Sequence, residues 1–390
     1  MIPYGKHYID EEDIQAVVDV LKGSLITQGP KIKEFEQNIA NYVGAKYAIA
    51  VSSGTAALHL ANIIVGFSSN EYAITSPISF VASALGPIYA GGKVLFCDID
   101  DKDINIDHRL LEKLCNSEKK IKVIIPVHFG GLPCDMEKIK KIADQNKAFI
   151  IEDAAHALGA SYKDGSKVGC CKYSDMTIFS FHPVKTIAAG EGGIITTNNH
   201  KTYRRLLRLR SHGINKLDDK FEIVEQSMSH GVNNRWYYEM QELGYHYRIN
   251  DIQCALGISQ LKKIDKFIKR RAEISKRYDK ALLNLKNCYA IQLNKKKYSS
   301  HHLYVIRIKF DKINYSKAEF FNLLFDFGFA LAVHYIPIII QPYFQKKGIN
   351  VADYPLAMKY YSEALSIPIH YSLTNSEQDR FISFLKKYVG

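Results

Sequence analysis

Lys185 is the residue whose position points most clearly to chemistry. It follows the strand-like segment 176–180, which ends in Ser180, and it precedes Gly190-Glu191-Gly192-Gly193, whose glycines predict a supporting hairpin. A lysine on a buried loop at the end of a strand can have its pKa lowered enough to act as a nucleophile or a base. Lys185 is therefore a candidate for covalent chemistry with a carbonyl compound.

Asp153 is a second candidate, because it ends the apolar segment that begins at Phe149. Ligands of open α/β sheets bind beyond the carboxyl ends of the strands, so a carboxylate at this place faces the ligand. It could bind a metal ion, act as a base or hold a protonated ring nitrogen. No matching cluster of histidines or carboxylates follows nearby, and we therefore expect no metal.

Ser53-Gly54-Thr55 joins the strand-like segment 47–51 to a helix that we expect to begin at Thr55. Free amides at a helix N-terminus bind phosphate, and a glycine lets the backbone approach it closely. The same residues could instead serve only as the N-cap of the helix. A phosphate cradle, a carboxylate for a ring nitrogen and a lysine for an aldehyde are together what pyridoxal 5′-phosphate (PLP) requires.

The elements that must position these residues alternate between strand and helix. Alternation at this interval predicts an α/β fold with a largely parallel sheet covered on both faces. In the first helix, Ile14, Val17, Val18 and Leu21 share one face. Helices are predicted over 10–22 and 31–43 and from residues 55, 81, 107 and 136, and strands over 47–51, 72–75, 93–97, 122–127, 148–152 and 176–180.

The pattern changes at residue 252, where apolar spacing predicts one long helix to about residue 285. Strands are predicted over 303–310 and 329–335, with helices from Lys317 and Glu377. A chain of 390 residues is long for a single core. We expect a large cofactor-binding domain over 1–245 and a small C-terminal domain over 246–390.

The composition and charge of the chain limit the classes of ligand and partner that it could bind. A formal net charge of +12 suits an anionic ligand such as nucleic acid, anionic lipid or a phosphorylated small molecule. The sequence holds no recognisable nucleic-acid module, no apolar run of membrane-spanning length and no apolar core for a signal peptide. Its seven cysteines form no CxxC pair. We therefore expect a cytoplasmic protein with no nucleic-acid or membrane partner.

Ordered motifs lie along nearly the whole chain. They are Thr27-Gln28-Gly29-Pro30, Ser53-Gly54-Thr55-Ala56-Ala57, Glu152-Asp153-Ala154-Ala155-His156-Ala157, Phe179-Ser180-Phe181 with Lys185, Gly190-Glu191-Gly192-Gly193, Arg210-Ser211-His212-Gly213, residues 244–257, and His334-Tyr335-Ile336-Pro337 with Gln341-Pro342-Tyr343. Together they resemble the motifs of the DegT/DnrJ/StrS family, which are sugar-nucleotide aminotransferases of fold type I. The resemblance implies a PLP-dependent transferase with a mainly parallel sheet in its large domain and a smaller C-terminal α/β domain.

The resemblance also assigns roles. Lys185 would hold PLP as a Schiff base and then shuttle a proton, and Asp153 would keep the pyridine nitrogen protonated. The family takes a further phosphate ligand from the partner subunit; its position here is His246, with Asn233 as the alternative. A homodimer with shared active sites is implied either way. The other residues expected to bind the phosphate or flank the ring are Thr55, Ala56, Ser180, Phe80 and His156.

Within the family, segments 75–82, 156–159 and 180–185 look most like enzymes of the pseudaminic acid pathway. Those enzymes aminate C4 of a UDP-linked 4-keto-6-deoxy-N-acetylamino sugar, and L-glutamate is the expected donor. Another nucleotide-linked 4-keto or 3-keto sugar is an alternative substrate. A PLP-dependent sugar dehydratase with the same fold is a third hypothesis, but the dehydratases that resemble this family carry His where this chain has Lys185. The sugar-nucleotide site would be lined by Tyr4, Ile26, Thr27, His334 and Tyr335.

Overall fold

The computed structural model describes residues 1–117, 119–216, 220–292 and 297–390. Its first half contains β1 (Ile2–Pro3), α1 (Glu11–Lys22), α2 (Pro30–Val43), β2 (Tyr47–Val51), α3 (Gly54–Val65), β3 (Glu71–Thr75), α4 (Ala82–Tyr89), β4 (Lys93–Phe96), α5 (His108–Cys115), β5 (Lys120–Ile125), α6 (Met136–Asn146), β6 (Phe149–Asp153), β7 (Met176–Ser180), β8 (Gly193–Thr197) and α7 (His200–Leu209).

The second half adds β9 (Ile214–Asn215), α8 (Val224–Ser227), β10 (Met228–Ser229), β11 (Val232–Asn233), β12 (Glu239–Met240), α9 (Asp251–Leu261), α10 (Ile264–Leu282), β13 (Cys288–Ala290), β14 (Tyr304–Ile308), α11 (Lys317–Asp326), β15 (Phe329–Ala330), α12 (Pro342–Gln345), α13 (Pro355–Glu363), β16 (Ala364–Ile367) and α14 (Asn375–Val389). Short 3-10 helices lie at Phe129–Gly131, Phe310–Lys312, Ile338–Ile340 and Val351–Asp353.

A seven-stranded sheet forms the centre of the molecule, in the order β2-β8-β7-β6-β5-β3-β4. Only β8 runs against the other strands, because it pairs antiparallel with both β2 and β7. The remaining neighbours are parallel, as the alternation of strands and helices predicts. Helices α2, α6 and α9 pack on one face of the sheet and α3 and α7 on the other.

Strand periodicity sends the last two residues of β6 to opposite faces. Glu152 is fully buried and bonds to His128 at 2.7 Å and Tyr162 at 2.6 Å. Asp153 instead bonds to Ser83 of α4. The strand is thereby anchored on one side and presents a carboxylate on the other.

A second, smaller core lies around a three-stranded antiparallel sheet, β13-β14-β16, with residues of α10, α11 and α14. The N-terminal strand β1 joins this part of the molecule, because it pairs with β15. Strand β15 covers only Phe329–Ala330, so the prediction of a strand through residue 335 is too long. The chain leaves the strand there and turns towards the carboxyl edge of the large sheet.

The long helix predicted from residue 252 is two helices, α9 and α10. The chain turns between them at Lys263, whose amine pairs with Asp10 and lies 3.0 Å from Asp13 of α1. Helix α9 packs against α1 and α2 in the core of the large sheet. The change from one hydrophobic core to the other therefore falls inside α10.

Helix α1 also differs from its prediction. It turns Asp13 and Val20 inwards, whereas Ile14 and Leu21 of the predicted apolar face are about half exposed. The reason is the anchoring of Asp13, which accepts a hydrogen bond of 2.7 Å from Gln260 of α9. Across the described ranges, no helix has the length and apolarity to cross a membrane.

Candidate active site

A cavity of about 420 Å³ opens at the carboxyl ends of β6 and β7. Its volume falls within the range of small-molecule sites, about 300–1,000 Å³. Residues of the large sheet form its floor, and segments near the second core form its far wall. It is lined by Tyr4, Ser53, Gly54, Thr55, Leu58, Ser79, Phe80, Ala82, Val127, Asp153, Ala155, His156, Ile178, Ser180, His182, Val184, Lys185, Glu191, His302, His334 and Tyr335.

Lys185 lies on the loop that β7 and β8 support. Its backbone N–H donates to the carbonyl of His182 at 2.8 Å, and Phe181 bonds to Gly192 across the hairpin. Burial lowers the pKa of the Lys185 amine to about 8, although the nearby carboxylate of Asp153 acts in the opposite direction. About a tenth of this amine is therefore unprotonated, and hence nucleophilic, at neutral pH.

Asp153 is held in place by two hydrogen bonds. Its Oδ2 accepts from Ser83 at 2.5 Å and its Oδ1 accepts from the backbone N–H of Ala155 at 3.2 Å. The side chain is buried at the cavity wall. It supplies a fixed negative charge within electrostatic reach of Lys185.

The N-terminus of α3 forms the wall that suits a phosphate. Ser53 is its N-cap, and the Ser53 hydroxyl accepts from the amide of Ala56 at 3.1 Å. A Cβ on Gly54 would lie 3.0 Å from the Cβ of Ser180, so glycine lets the helix start pack directly against the end of β7. Thr55 and Ser180 consequently line one pocket, whereas Ala56 is buried outside it with its amide already bonded.

Three imidazoles share the cavity. His156 Nε2 lies 2.8 Å from the hydroxyl of Tyr335, and its ring is 4.4 Å from that of His302. The ring of His334 bonds through Nδ1 to Ser366 at 2.8 Å. Burial, followed by neighbouring positive charge, lowers the pKa of all three well below the ordinary value for histidine. These rings are neutral donors and acceptors at physiological pH.

Aromatic side chains form the mouth of the cavity. Phe80 is 58% exposed, with its ring 6.4 Å from that of Tyr335, and Tyr4 packs against His334 at 4.9 Å. An exposed aromatic ring at a cavity mouth is available to stack on a flat ligand. The structure thus brings together ten of the predicted site residues: Lys185, Asp153, Thr55, Ser180, Phe80, His156, Tyr4, His334 and Tyr335 at the cavity, and Ala56 just behind it.

Three other predicted residues lie outside the cavity of their own chain. Ile26 and Thr27 are exposed, and the carbonyl of Ile26 accepts from the amide of Asp251 at 3.0 Å. His246 is also exposed, and its ring stacks on that of His212 at 5.3 Å. The alternative, Asn233, lies in the exposed strand β11. None of these four residues lines the cavity.

Some cavity residues were missed by sequence reasoning. His302 stands just before β14, more than a hundred residues from His156 along the chain, and only the fold brings the two rings together. Ser79 lies in the segment 75–82 that carries the resemblance, and Ser83 directly follows that segment, but nothing in the sequence places either residue next to Asp153. Their spacing of four residues at the start of a predicted helix was the available signal, since such residues share a face.

The arrangement fits PLP. A partly unprotonated lysine, a buried carboxylate and a helix N-terminus with two hydroxyls surround one cavity, and Phe80 and His156 offer flat surfaces for a ring. Over the part of the chain that the structure describes, no group of three or more His, Cys, Asp or Glu side chains could hold a metal ion. These groups suit a phosphorylated aldehyde as the ligand.

Known proteins resemble the chain over its full length. It is 38% identical to the UDP-4-amino-4,6-dideoxy-N-acetyl-beta-L-altrosamine transaminase of Campylobacter jejuni subsp. jejuni serotype O:23/36 (strain 81-176), covering 99% of this chain and 98% of that protein. It is 36% identical to the spore coat polysaccharide biosynthesis protein SpsC of Bacillus subtilis (strain 168), covering 100% and 97%.

A solved structure shows the same architecture. Helicobacter pylori PseC, an aminotransferase involved in the biosynthesis of pseudoaminic acid, superposes with a TM-score of 0.88 at 30% identity, covering 100% of this chain and 99% of that one. The aminotransferase family described as DegT/DnrJ/EryC1/StrS matches residues 7–386. With the lysine, carboxylate and helix N-terminus gathered at one cavity, the chain belongs to the DegT/DnrJ/EryC1/StrS aminotransferase family.

Proposed function

We propose that the protein transfers an amino group from L-glutamate to the C4 ketone of a UDP-linked 4-keto-6-deoxy-N-acetylamino sugar, in pseudaminic acid biosynthesis. The main support for this reaction is the cavity that brings the buried Lys185, with its lowered pKa, near Asp153. The sugar is inferred from the names of the Campylobacter transaminase and of PseC. Both cover nearly the whole chain.

PLP is the cofactor of this family. When bound, it carries the amino group between the two substrates and accepts electrons from the reacting carbon. Thr55 and Ser180 would hold its phosphate at the positive end of α3. Asp153 would hold a proton on its ring nitrogen, and Lys185 would bind its aldehyde carbon.

Lys185 has a second task in each half of the reaction. Its Nζ would move a proton at the substrate carbon, taking it from the donor carbon in the first half and delivering it to the acceptor carbon in the second. A pKa of about 8 suits this exchange, because both protonation states of the amine are accessible near neutral pH. Donor and acceptor use the same cavity in turn, which gives a ping-pong sequence.

The acceptor sugar would lie between Tyr4, His334 and Tyr335, at the side of the cavity near the second core. The neutral imidazole of His334 and the hydroxyl of Tyr335 are suited to hydrogen bonds with sugar hydroxyl and carbonyl groups. Burial raises the pKa of the Tyr335 hydroxyl well above its ordinary value, so it remains a donor. Ile26 and Thr27 of the other subunit in the proposed homodimer would extend this site.

We also propose that the enzyme is a cytoplasmic homodimer with shared active sites. The support is the exposure of His246, Ile26 and Thr27 outside the cavity of their own chain. His246, or alternatively Asn233, would reach the cofactor phosphate of the partner. The two-domain organisation stays part of the proposal, with a large cofactor-binding domain over 1–245 and a small C-terminal α/β domain over 246–390.

The direct test is a panel of nucleotide-linked 4-keto and 3-keto sugars, each incubated with the holoenzyme and L-glutamate. We expect the UDP-linked 4-keto-6-deoxy-N-acetylamino sugar to be converted fastest, with the amino product identified by mass and its C4 configuration by NMR. Faster amination of another sugar would reject the proposed substrate. A product that has lost a hydroxyl and gained no nitrogen would reject amination itself.

A further inference from the structure

Two buried hydroxyls connect the cavity wall to Asp153. Ser83 Oγ donates to Asp153 Oδ2 at 2.5 Å, and Ser79 Oγ lies 2.6 Å from Ser83 Oγ. Ser83 is fully buried, and Ser79 is 3% exposed and lines the cavity. Buried hydroxyls are costly unless they are hydrogen-bonded, so this linked pair is a specific feature of the site.

The directions of these bonds follow from counting protons. A carboxylate only accepts, and a serine hydroxyl has one proton to give. Because Ser83 uses its proton for Asp153, the proton between the two hydroxyls must come from Ser79. Ser79 therefore offers only lone pairs to the cavity. The two hydrogen bonds run in one direction, from Ser79 through Ser83 to the carboxylate.

The start of α4 sets this geometry. Ser79 and Ser83 are four residues apart, and the turn between them is closed by backbone bonds from Ser83 to Phe80 at 3.3 Å and from Ala84 to Val81 at 3.0 Å. Residues four apart in a helical turn lie on one face. The same turn thus aligns both hydroxyls with Asp153 and places Phe80 at the cavity mouth.

We propose that Ser83, supported by Ser79, is a positioning residue that holds Asp153 in one orientation for the ring nitrogen of PLP. Hydrogen bonds to a charged group are stronger than those between neutral groups, and linked hydroxyls strengthen one another. With Ala155 holding the other oxygen, the carboxylate cannot rotate away from the ring. The inference rests on the proposed PLP function.

The test compares Ser83→Ala with Ser83→Thr, Ser79→Ala and the control Ser76→Ala. Ser76 is equally buried in the same segment but, among the described residues, bonds only to the backbone of Ile78. For each folded variant, the PLP dissociation constant and the pH midpoint of the bound cofactor's visible absorption band are measured. Neither readout requires turnover.

Ser83→Ala should weaken PLP binding about tenfold, the loss expected for one hydrogen bond to a charged group, while Ser83→Thr should stay within about threefold of the native protein. The midpoint should rise in Ser83→Ala, because a ring nitrogen with less positive charge withdraws fewer electrons from the rest of the cofactor. Ser79→Ala should shift both values in the same direction by less, and Ser76→Ala should shift neither.

Native affinity and midpoint in folded Ser83→Ala would overturn the inference, as would an equal change in Ser76→Ala. The proposed function is checked separately in the native protein by its visible absorption with PLP. If the native protein binds no PLP, the proposed function fails; if it binds PLP and Ser83→Ala behaves as native, only the role of Ser83 fails.

Discussion

The protonation of Lys185 controls what the cavity can do. Its pKa of about 8, against the ordinary 10.5, leaves about 300-fold more of the amine unprotonated at neutral pH. Any positive charge that remains on Lys185 also lowers the pKa of His156 and His334. Burial is the main cause of the neutral state of these rings, and the charge of the lysine adds to it.

The rate at which the apo-protein captures PLP should follow this titration. Because the lowered pKa makes the neutral amine dominant above pH 8, the rate should rise about tenfold per pH unit below that value and level off above it. Stopped-flow absorbance across pH 6 to about 10 measures it. Asp153→Asn should move the curve to lower pH, since the carboxylate opposes deprotonation. A rate still climbing at pH 10 would contradict a lowered pKa.

Residues next to strand ends were predictable from the sequence. Lys185, Asp153 and Ser180 follow apolar strands, and parallel strands bring their carboxyl ends to one edge. His302 and Ser83 could not be found in this way, because their roles depend on tertiary neighbours and not on local pattern. His246 was predicted from a resemblance that concerns a second subunit, and its role stays a prediction.

At the level of elements, the contact between β8 and the start of α3 fixes the phosphate wall. A Cβ on Gly193 would lie 2.3 Å from the carbonyl oxygen of Ser53 and 2.7 Å from the amide nitrogen of Gly54. Both of those atoms are backbone and cannot rotate away. The glycine at the start of β8 is therefore required by the position of the helix.

Gly193→Ala should destabilise the protein by about 1–3 kcal/mol through overpacking. It should also weaken PLP binding, because the N-terminus of α3 must shift. Denaturant unfolding and PLP titration measure the two effects. Gly5→Ala is the matched control, since its nearest contact would be an ordinary 3.9 Å to Val184. Native stability in Gly193→Ala would show that the helix start does not depend on this contact.

The boundaries of helices were predictable where capping residues mark them. They were not predictable where contacts with distant residues set them. Ser53 caps α3 through its own side chain, and the predicted start differs by a single residue. The break between α9 and α10 depends instead on pairing of Lys263 with Asp10 and Asp13, some 250 residues away. Local apolar spacing continues through that break, so it predicts one helix.

At the level of the whole molecule, the cavity lies where the two cores meet. Asp98, beyond β4, accepts two backbone bonds of 2.9 Å from the start of α13. The fully buried Arg307 of β14 pairs with Asp101 at 2.5 Å and with Glu363 at 2.7 Å. These contacts hold the far wall of the cavity against the large sheet, so Tyr335 can reach His156.

Subunit complementation tests the shared site. Lys185→Ala and His246→Ala should each be inactive or nearly so, but their co-expression should restore about a quarter of native activity, since half the dimers are mixed and each has one intact site. Repeating the mixture with Asn233→Ala distinguishes the two phosphate contacts. No recovery with either variant would contradict shared active sites in a homodimer.

In the proposed mechanism, Lys185 binds the cofactor. The most direct measurement is reduction of the holoenzyme with borohydride, followed by digestion and mass spectrometry of the lysine peptides. We predict that the mass of reduced PLP is added to the peptide containing Lys185 and to no other. Attachment to a different lysine, or no attachment in a protein that has bound PLP, would contradict the account.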